Sequence, residues 1–388
     1  MPAKPFRKPG RNRWYVAVEL PNDPTTGKRR QRTLTGATRR EVVDKQVALL
    51  RELATGTSLE PTTLTVGVFL DRWLEEVVKP GRSVRTYEVT ESHVRVHLKP
   101  ALGGILLAKL QPAHVTALLA KIQAAGRSPK TAINVRMTLH TALEHARLKW
   151  RLVRENIVDL VDRPLYEPVP ADLWSEEELA CFLDAVAGRR FEAFYRLALN
   201  TGMREAELLG LRWADVDVAR GRLSVRRQTI RTLTEGYVEQ VPKGKRARNI
   251  TLTPGTVAVL EARRGRLRAE RDAAGAAWRD EGRVFPNGTG GPLARETVYH
   301  DWLRTIRRHD LPHMVLHGMR HLHATYLLLE GVHPKIVADR LGHSSTSVTT
   351  ETYSHVTPNM QREAADAFDR ALDRATQRRK PPPDEAAD

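Results

Sequence analysis

TGMREAELLGLRW, residues 201–213, carries a Thr-Gly pair at which one helical pattern stops and another starts. Glycine is the usual residue just past a helix end, so Arg204 stands where the chain turns into its next helix. Glu207 follows one helical turn later and faces back toward it. An arginine opening a helix beside an orienting carboxylate is placed for a bidentate grip on phosphate. The plain alternative is a surface Arg–Glu pair of little energetic weight. HGMRHLHAT, residues 317–325, is the second cluster, with His317 and Arg320 on one helical face. His321 lies four residues after His317, a zinc-like spacing. Yet Gly318 stands where HExxH needs glutamate, and a chain with one cysteine has no CxxC pair, so no metal site is expected. His323 reads as a packed or hydrogen-bonded side chain.

Two further segments complete the set. In HPKIVADRLGHSS, residues 333–345, Pro334 suits a first helical turn and Gly342 a C-terminal cap, which presents His343 just past the helix end. Ten residues on, ETYSH places Tyr353 in a polar stretch, where it is either reactive or an exposed structural tyrosine. Upstream, Ser175 and Glu178 of SEEEL form a capping box, and FEAFYRLALN is the helix leading into residue 201. Between the clusters, RLSVRRQTIR, YVEQV and RNITL alternate as short strands. The basic turn PKGKRA, before the last of them, offers Lys243 and Lys245.

The front of the chain is organised differently. Residues 1–58 read as a small sheet plus helix: Trp14, Val16, Val18 and Leu20 alternate, PNDPTTG turns, and KRRQRTL returns as a basic strand. Val42, Val43, Leu49, Leu50 and Leu53 then mark one face of a helix that ends at Gly56. Arg29, Arg30, Arg32, Arg39 and Arg40 of this module either contact DNA or keep an edge strand soluble. Residues 62–160 carry successive helical patterns divided by Gly and Pro, a helical module of four or five helices. The proline-rich stretch VDRPLYEPVPADL links it to a third domain, residues 171–378, of mixed α and β structure. The tail, residues 379–388, is expected to be disordered.

Composition narrows the partners. Formal net charge is +17, and the basic excess is steepest at the front, where residues 1–60 hold 13 Lys+Arg against 6 Asp+Glu. Such a chain is attracted to polyanions. No apolar run is long enough for a membrane span, and the basic N-terminus lacks the apolar stretch of a signal peptide. The single cysteine, Cys181, excludes an internal disulfide and fits a reducing compartment, with the cytoplasm of a bacterial cell as the expected location. With Leu179, Phe182 and Leu183 around it, Cys181 is expected in the core.

TGMREAELLGLRW, HGMRHLHAT, LGHSS and TYSH, in this order and spacing, resemble the tyrosine recombinase (phage integrase) family. The resemblance implies a multi-domain, mainly α-helical fold: an N-terminal arm-binding module, a helical core-binding (SAM-like) domain, and a catalytic domain with a small antiparallel sheet. It implies site-specific cleavage and rejoining of DNA through a 3′-phosphotyrosyl intermediate, integrating and excising a phage or other mobile element. By the same resemblance Tyr353 is the nucleophile, and Arg204 and Arg320 clamp the phosphate. Lys243, taken for its place ahead of RNITL although the family usually shows Lys-Thr there, protonates the leaving oxygen. His317 handles the tyrosine proton, His343 donates to the phosphate, and Glu207 holds Arg204. No cofactor or metal is implied. Implied partners are double-stranded DNA at attachment sites, three further copies in a homo-tetramer, an excisionase or directionality factor, and a host DNA-bending protein. The helix bearing Met360, Phe368 and Leu372 docks either on a neighbouring protomer or within its own chain. The alternatives are a type IB topoisomerase-like enzyme, which shares this site plan, and a silent DNA-binding regulator, which has no reason to keep all six catalytic residues.

Overall fold

The computed structural model describes residues 3–9, 11–20, 29–54, 63–167, 173–242 and 247–343, with residues 366, 368–370 and 372–374. The turn at 21–27, Gly56, Lys243, Lys245, Tyr353, Met360 and the tail from 379 lie outside them. Contacts divide the chain into Met1–Pro168 and Val169–Asp388.

The first module is an antiparallel sheet, β1 (Phe6–Arg7), β2 (Trp14–Leu20) and β3 (Arg30–Gly36), with helix α1 (Arg39–Ala54). Val16, Val18, Val42 and Leu49 form its core, because the alternation of β2 puts both valines on the face that α1 covers. Residues opposite each other on paired strands share a face, and the register sets Arg32 beside Val18 and Arg30 beside Leu20. Both arginines therefore lie on the helix-covered face, where they reach solvent. The other face carries Tyr15, packed on Phe6 of the short strand β1, which alternation alone does not reveal.

The helical module runs through α2 (Val66–Trp73), α3 (Val84–His93), α4 (Pro112–Ala124) and α5 (Pro129–His145). Thr65, Ser83 and Ser128 cap three of them, each accepting from the backbone N–H three residues on. Helix α2 continues through a π-helical turn, Leu74–Val78, and α3 through another, Val94–Leu98. Each turn precedes a Lys-Pro pair whose proline has no N–H to give. The helix widens instead, and the lysine N–H reaches five residues back, from Lys79 to Leu74 and from Lys99 to Val94. The interior is apolar, with Phe69, Leu70, Leu98, Leu139 and Leu143 at most 1% exposed.

The second unit begins with α6 (Glu176–Val186) and α7 (Glu192–Thr201). The capping box is present: Glu178 N–H donates to Ser175 Oγ at 3.2 Å and Ser175 N–H to the Glu178 carboxylate at 2.8 Å. Cys181 is exposed, contrary to the core role expected for it. The buried face of α6 is set by Phe182 and Val186, and Cys181, one position before Phe182, is turned about 100° away from it. Short helix α8 (Glu205–Leu209) is followed by β4 (Val216–Asp217), β5 (Arg222–Val225), β6 (Gln228–Thr232), β7 (Gly236–Gln240) and β8 (Arg248–Thr251).

RLSVRRQTIR, read above as one strand, is two strands in different sheets. β5 pairs with β4 and β8, whereas β6 pairs with β7 in a separate sheet. The break falls at Arg226 and Arg227, where Arg227 turns to a buried Asp215 at 2.8 Å. Helices α9 (Pro254–Ala274), α10 (Arg295–Arg308), α11 (Gly318–Leu329) and α12 (Pro334–Leu341) complete the unit. Trp302 of α10 anchors the core: Trp174 stacks on it with centroids 5.1 Å apart, and the Phe182 and Tyr195 rings pack beside it. This aromatic cluster fixes α7, whose far end delivers residue 201.

Candidate active site

Gly202 ends α7 in the left-handed conformation, φ +62°. A Cβ there would come within 2.6 Å of the His323 ring, so only glycine fits. The chain turns in an extended step at Arg204, the residue capping α8, and the Glu207 carboxylate accepts the Arg204 N–H at 2.9 Å. The same carboxylate takes Arg204 Nη1 at 3.0 Å, so the orienting carboxylate read from sequence is in place.

Helix α12 approaches from the far end of the sequence. It starts at Pro334 and stops at Gly342, φ +67°, as its cap residues suggest, and His343 follows. Small apolar side chains seat it: Val337 and Leu341 pack on Ala324 of α11. A helix end leaves carbonyls without intrahelical donors, and here three consecutive ones face three arginines from separate stretches. Arg248 Nε donates to Arg340 O at 2.9 Å, Arg320 Nη2 to Leu341 O at 2.8 Å, and Arg204 Nη2 to Gly342 O at 3.4 Å. Arg320 is itself buried and also holds Gly202 O at 2.7 Å. It ties together the two glycine turns that carry Arg204 and His343.

His317 caps α11 and meets His321 edge-to-face, ring centroids 5.1 Å apart. Although His317 keeps an exposed edge, desolvation by the surrounding protein, then His321, Arg320 and Arg204, pushes it down to about 4. Partial burial, then Arg320, Arg204 and Arg248, lowers His343 to about 4 as well. Both rings are neutral at pH 7, so the fixed positive charge of the cluster belongs to its arginines. Burial alone would push Glu207 up, but Arg248 and Arg204 overcome it and hold the carboxyl below its usual range. His323 is packed and accepts from Arg340 Nε at 3.2 Å, the bland role read for it.

The structure thus gathers Arg204, Glu207, His317, Arg320 and His343 at one place. Lys243 and Tyr353 lie outside the described residues. Arg29, Arg30, Arg32, Arg39 and Arg40 are exposed on the N-terminal module, far from this chemistry in sequence and held by a different core. Sequence reasoning missed Arg248 and Arg340. A signal for Arg248 existed: in RNITL it shares strand parity with Ile250 and Leu252, both buried. An arginine on an inward position needs a buried partner. No group of His, Cys, Asp and Glu suited to a metal occurs among the described residues.

The chain is similar to known proteins along most of its length. Residues 175–360 match the model of the phage integrase family, and residues 65–122 match the N-terminal SAM-like domain of phage integrases. A XerC-like tyrosine recombinase of Caldanaerobacter subterraneus subsp. tengcongensis is 27% identical over 94% of this chain and 97% of its own. Tyrosine recombinase XerC of Bacillus pumilus is 31% identical over 55% of this chain and 67% of its own. Among solved structures, the Tn1549 transposon integrase in complex with a circular intermediate DNA superposes with a TM-score of 0.66, 21% identity, and coverage of 78% of this chain and 99% of that one. The lambda integrase tetramer bound to a Holliday junction gives 0.56 and 18% over 90% and 95%. The chain belongs to the phage integrase family of tyrosine recombinases. Its activity is site-specific DNA recombination, and these relatives give no support to the topoisomerase reading.

Proposed function

We propose that Arg204, Lys243, His317, Arg320, His343 and Tyr353 form the strand-transfer centre, with Glu207 positioning Arg204. The observation that carries this reading is the convergence of two arginines and two neutral histidines around the ends of α7 and α12. Tyr353 Oη attacks the scissile phosphorus as the P–O5′ bond breaks. The product is a 3′-phosphotyrosine and a 5′-hydroxyl. Ionising a tyrosine at pH 7 costs roughly 4 kcal/mol, so neutral His317 takes the phenolic proton as the bond forms. Lys243 supplies a proton to the departing 5′-oxygen. Arg204 and Arg320 face the non-bridging oxygens, where charge grows, and His343 donates one N–H. Rejoining reverses each transfer, and the phosphodiester energy stays in the phosphotyrosine.

The natural substrate is double-stranded DNA at paired attachment sites of a phage or other mobile element, held by a tetramer of this chain in the bacterial cytoplasm. The DNA-bound integrase structures to which this fold is similar support that assembly. The module of residues 1–58 holds separate arm sites through its exposed arginines, so one protein bridges two DNA segments. A directionality factor and a host bending protein set the direction of exchange. Phe368 and Leu372, 65% and 49% exposed, are apolar side chains that a neighbouring copy would cover.

The deciding experiment uses a nicked suicide substrate from the element's own attachment site. Wild type is expected to form a covalent protein–DNA product that survives denaturant, and Tyr353→Phe to bind the same DNA without forming it. A covalent product from the variant would remove Tyr353 from its role.

A further inference from the structure

Arg248, the first residue of β8, has a side chain only 11% exposed and all three of its guanidinium nitrogens engaged. Nη1 and Nη2 lie 2.9 and 2.7 Å from the two Glu207 carboxylate oxygens, a two-pronged fork, and Nε holds Arg340 O at 2.9 Å. Arg204 meets the same carboxylate with one guanidinium nitrogen at 3.0 Å and touches Gly342 O at a longer 3.4 Å. Glu207 is wholly buried between the two arginines. The two arginines and one carboxylate therefore leave a surplus of one positive charge, and the question is which arginine carries it.

The geometry decides. Arg248 spends its whole planar fork on Glu207, the arrangement that pairs a buried carboxylate most completely. Arg204 is the looser partner, with a second donor group on the weaker carbonyl contact. Resting on the catalytic reading above, we infer that Arg248 is a positioning residue which takes up the charge of Glu207, leaving Arg204 its own positive charge for the scissile phosphate. Without Arg248 the buried carboxylate would turn wholly to Arg204 and neutralise it. Arg248 also fills the space beneath Gly342: a Cβ at that glycine would stand 3.0 Å from Nη1. The same side chain thus sets the height of the turn that presents His343.

The test measures single-turnover cleavage of the nicked attachment-site substrate by the full-length chain at saturating DNA. Two substrates are compared, one with the natural scissile phosphodiester and one with an uncharged methylphosphonate in its place. Arg248→Met should slow cleavage of the natural substrate on the order of tenfold or more, with DNA affinity kept. On the uncharged phosphate its deficit should shrink, as should that of Arg204→Ala, because less charge needs neutralising. Arg248→Met combined with Glu207→Gln should recover most of the lost rate, and Arg248→Lys should fall between. Should Arg248→Met fail to fold, the lysine and double variants carry the same comparison. Wild-type rates for Arg248→Met, or an equal deficit on both substrates with no recovery in the double variant, would overturn the inference. Wild-type cleavage by Arg204→Ala would instead overturn the catalytic reading, so the two failures are distinct.

Discussion

The helical module and the catalytic unit are both rich in ion pairs, yet the catalytic unit buries far more of its charged groups. In residues 65–160 the pairs Arg72–Glu76, Lys79–Glu75 and Lys99–Asp71 sit on the outside, Glu88 is the one buried charge among the described residues, and the interior is apolar. In the catalytic unit Glu207, Arg320, Arg263, Arg283 and Asp215 are buried. Surface pairs of the first kind contribute little because water screens them and the side chains lose freedom. Burying the second kind costs several kcal/mol per ion unless each is fully paired. A protein accepts that cost where fixed charge must be aimed: Glu207 and Arg320 serve the turn carrying Arg204 and His343, whereas Arg263, Arg283 and Asp215 are offset by pairs with Glu270, Glu239 and Arg227.

Four measurements would break or sharpen this contrast. The largest effect is expected at half-buried Arg204 and buried Arg320. Arg204→Ala or Arg320→Ala should lower single-turnover cleavage by on the order of a thousandfold, the scale of losing a preorganised donor to developing charge. Exposed Arg82 and Lys149 of the helical module should do the reverse, weakening DNA binding and its salt dependence while sparing cleavage at saturating DNA. Cleavage loss from the exposed set, at saturation, would erase the distinction.

Next comes stability. Glu207→Ala leaves Arg248 without its buried counter-charge and should cost on the order of 3–5 kcal/mol in chemical denaturation. Glu75→Ala, on the surface of the helical module, should leave the unfolding midpoint unchanged. Equal effects would show that burial does not separate the two kinds of pair.

A smaller effect is expected with pH. His317, His323 and His343 sit at about 4 in the folded chain, below the ordinary 6.5. As pH falls below 6.5 the unfolded chain takes up protons that the folded one refuses, so their contribution to stability is complete near neutrality and is lost progressively toward pH 4. The thermal midpoint of the catalytic unit should therefore drop between pH 7 and pH 5. His323→Gln, which removes the most enclosed of the three, should flatten that slope. A slope unchanged in the variant would show that His323 is protonated as easily folded as unfolded.

The smallest effect should be at Cys181. Its side chain is exposed on α6, so Cys181→Ser should match wild type in stability and cleavage, and a marked loss would mean that the outward-facing side of α6 is covered in the working complex.

Much of this was readable in the residues. The glycines at 202 and 342, the capping box at Ser175 and the helical spacing of His317 and Arg320 are local signals, and each led to the geometry observed. What failed was non-local or phase-sensitive. Cys181 was misjudged because apolar neighbours do not set a helix face; the phase set by Phe182 and Val186 does. RLSVRRQTIR looked like one strand because alternation cannot register a change of partner at Arg226 and Arg227. The π-helical turns at Leu74–Val78 and Val94–Leu98 keep apolar content while shifting the angular count, so periodicity passes over them. Arg248 was lost in a run of basic residues, where only strand parity marked it as inward.

The three carbonyls that end α12 have a consequence for the order of events in a cell. Their arginine donors come from residues 204, 248 and 320, and the contact between Arg204 and Gly342 spans 138 residues. A nascent chain still on the ribosome, or one clipped before Gly342, has arginines but no shared scaffold to aim them. A half-made copy therefore keeps its basic front but not the turn that aims its arginines, so the means of cutting is completed only once the chain reaches residue 342.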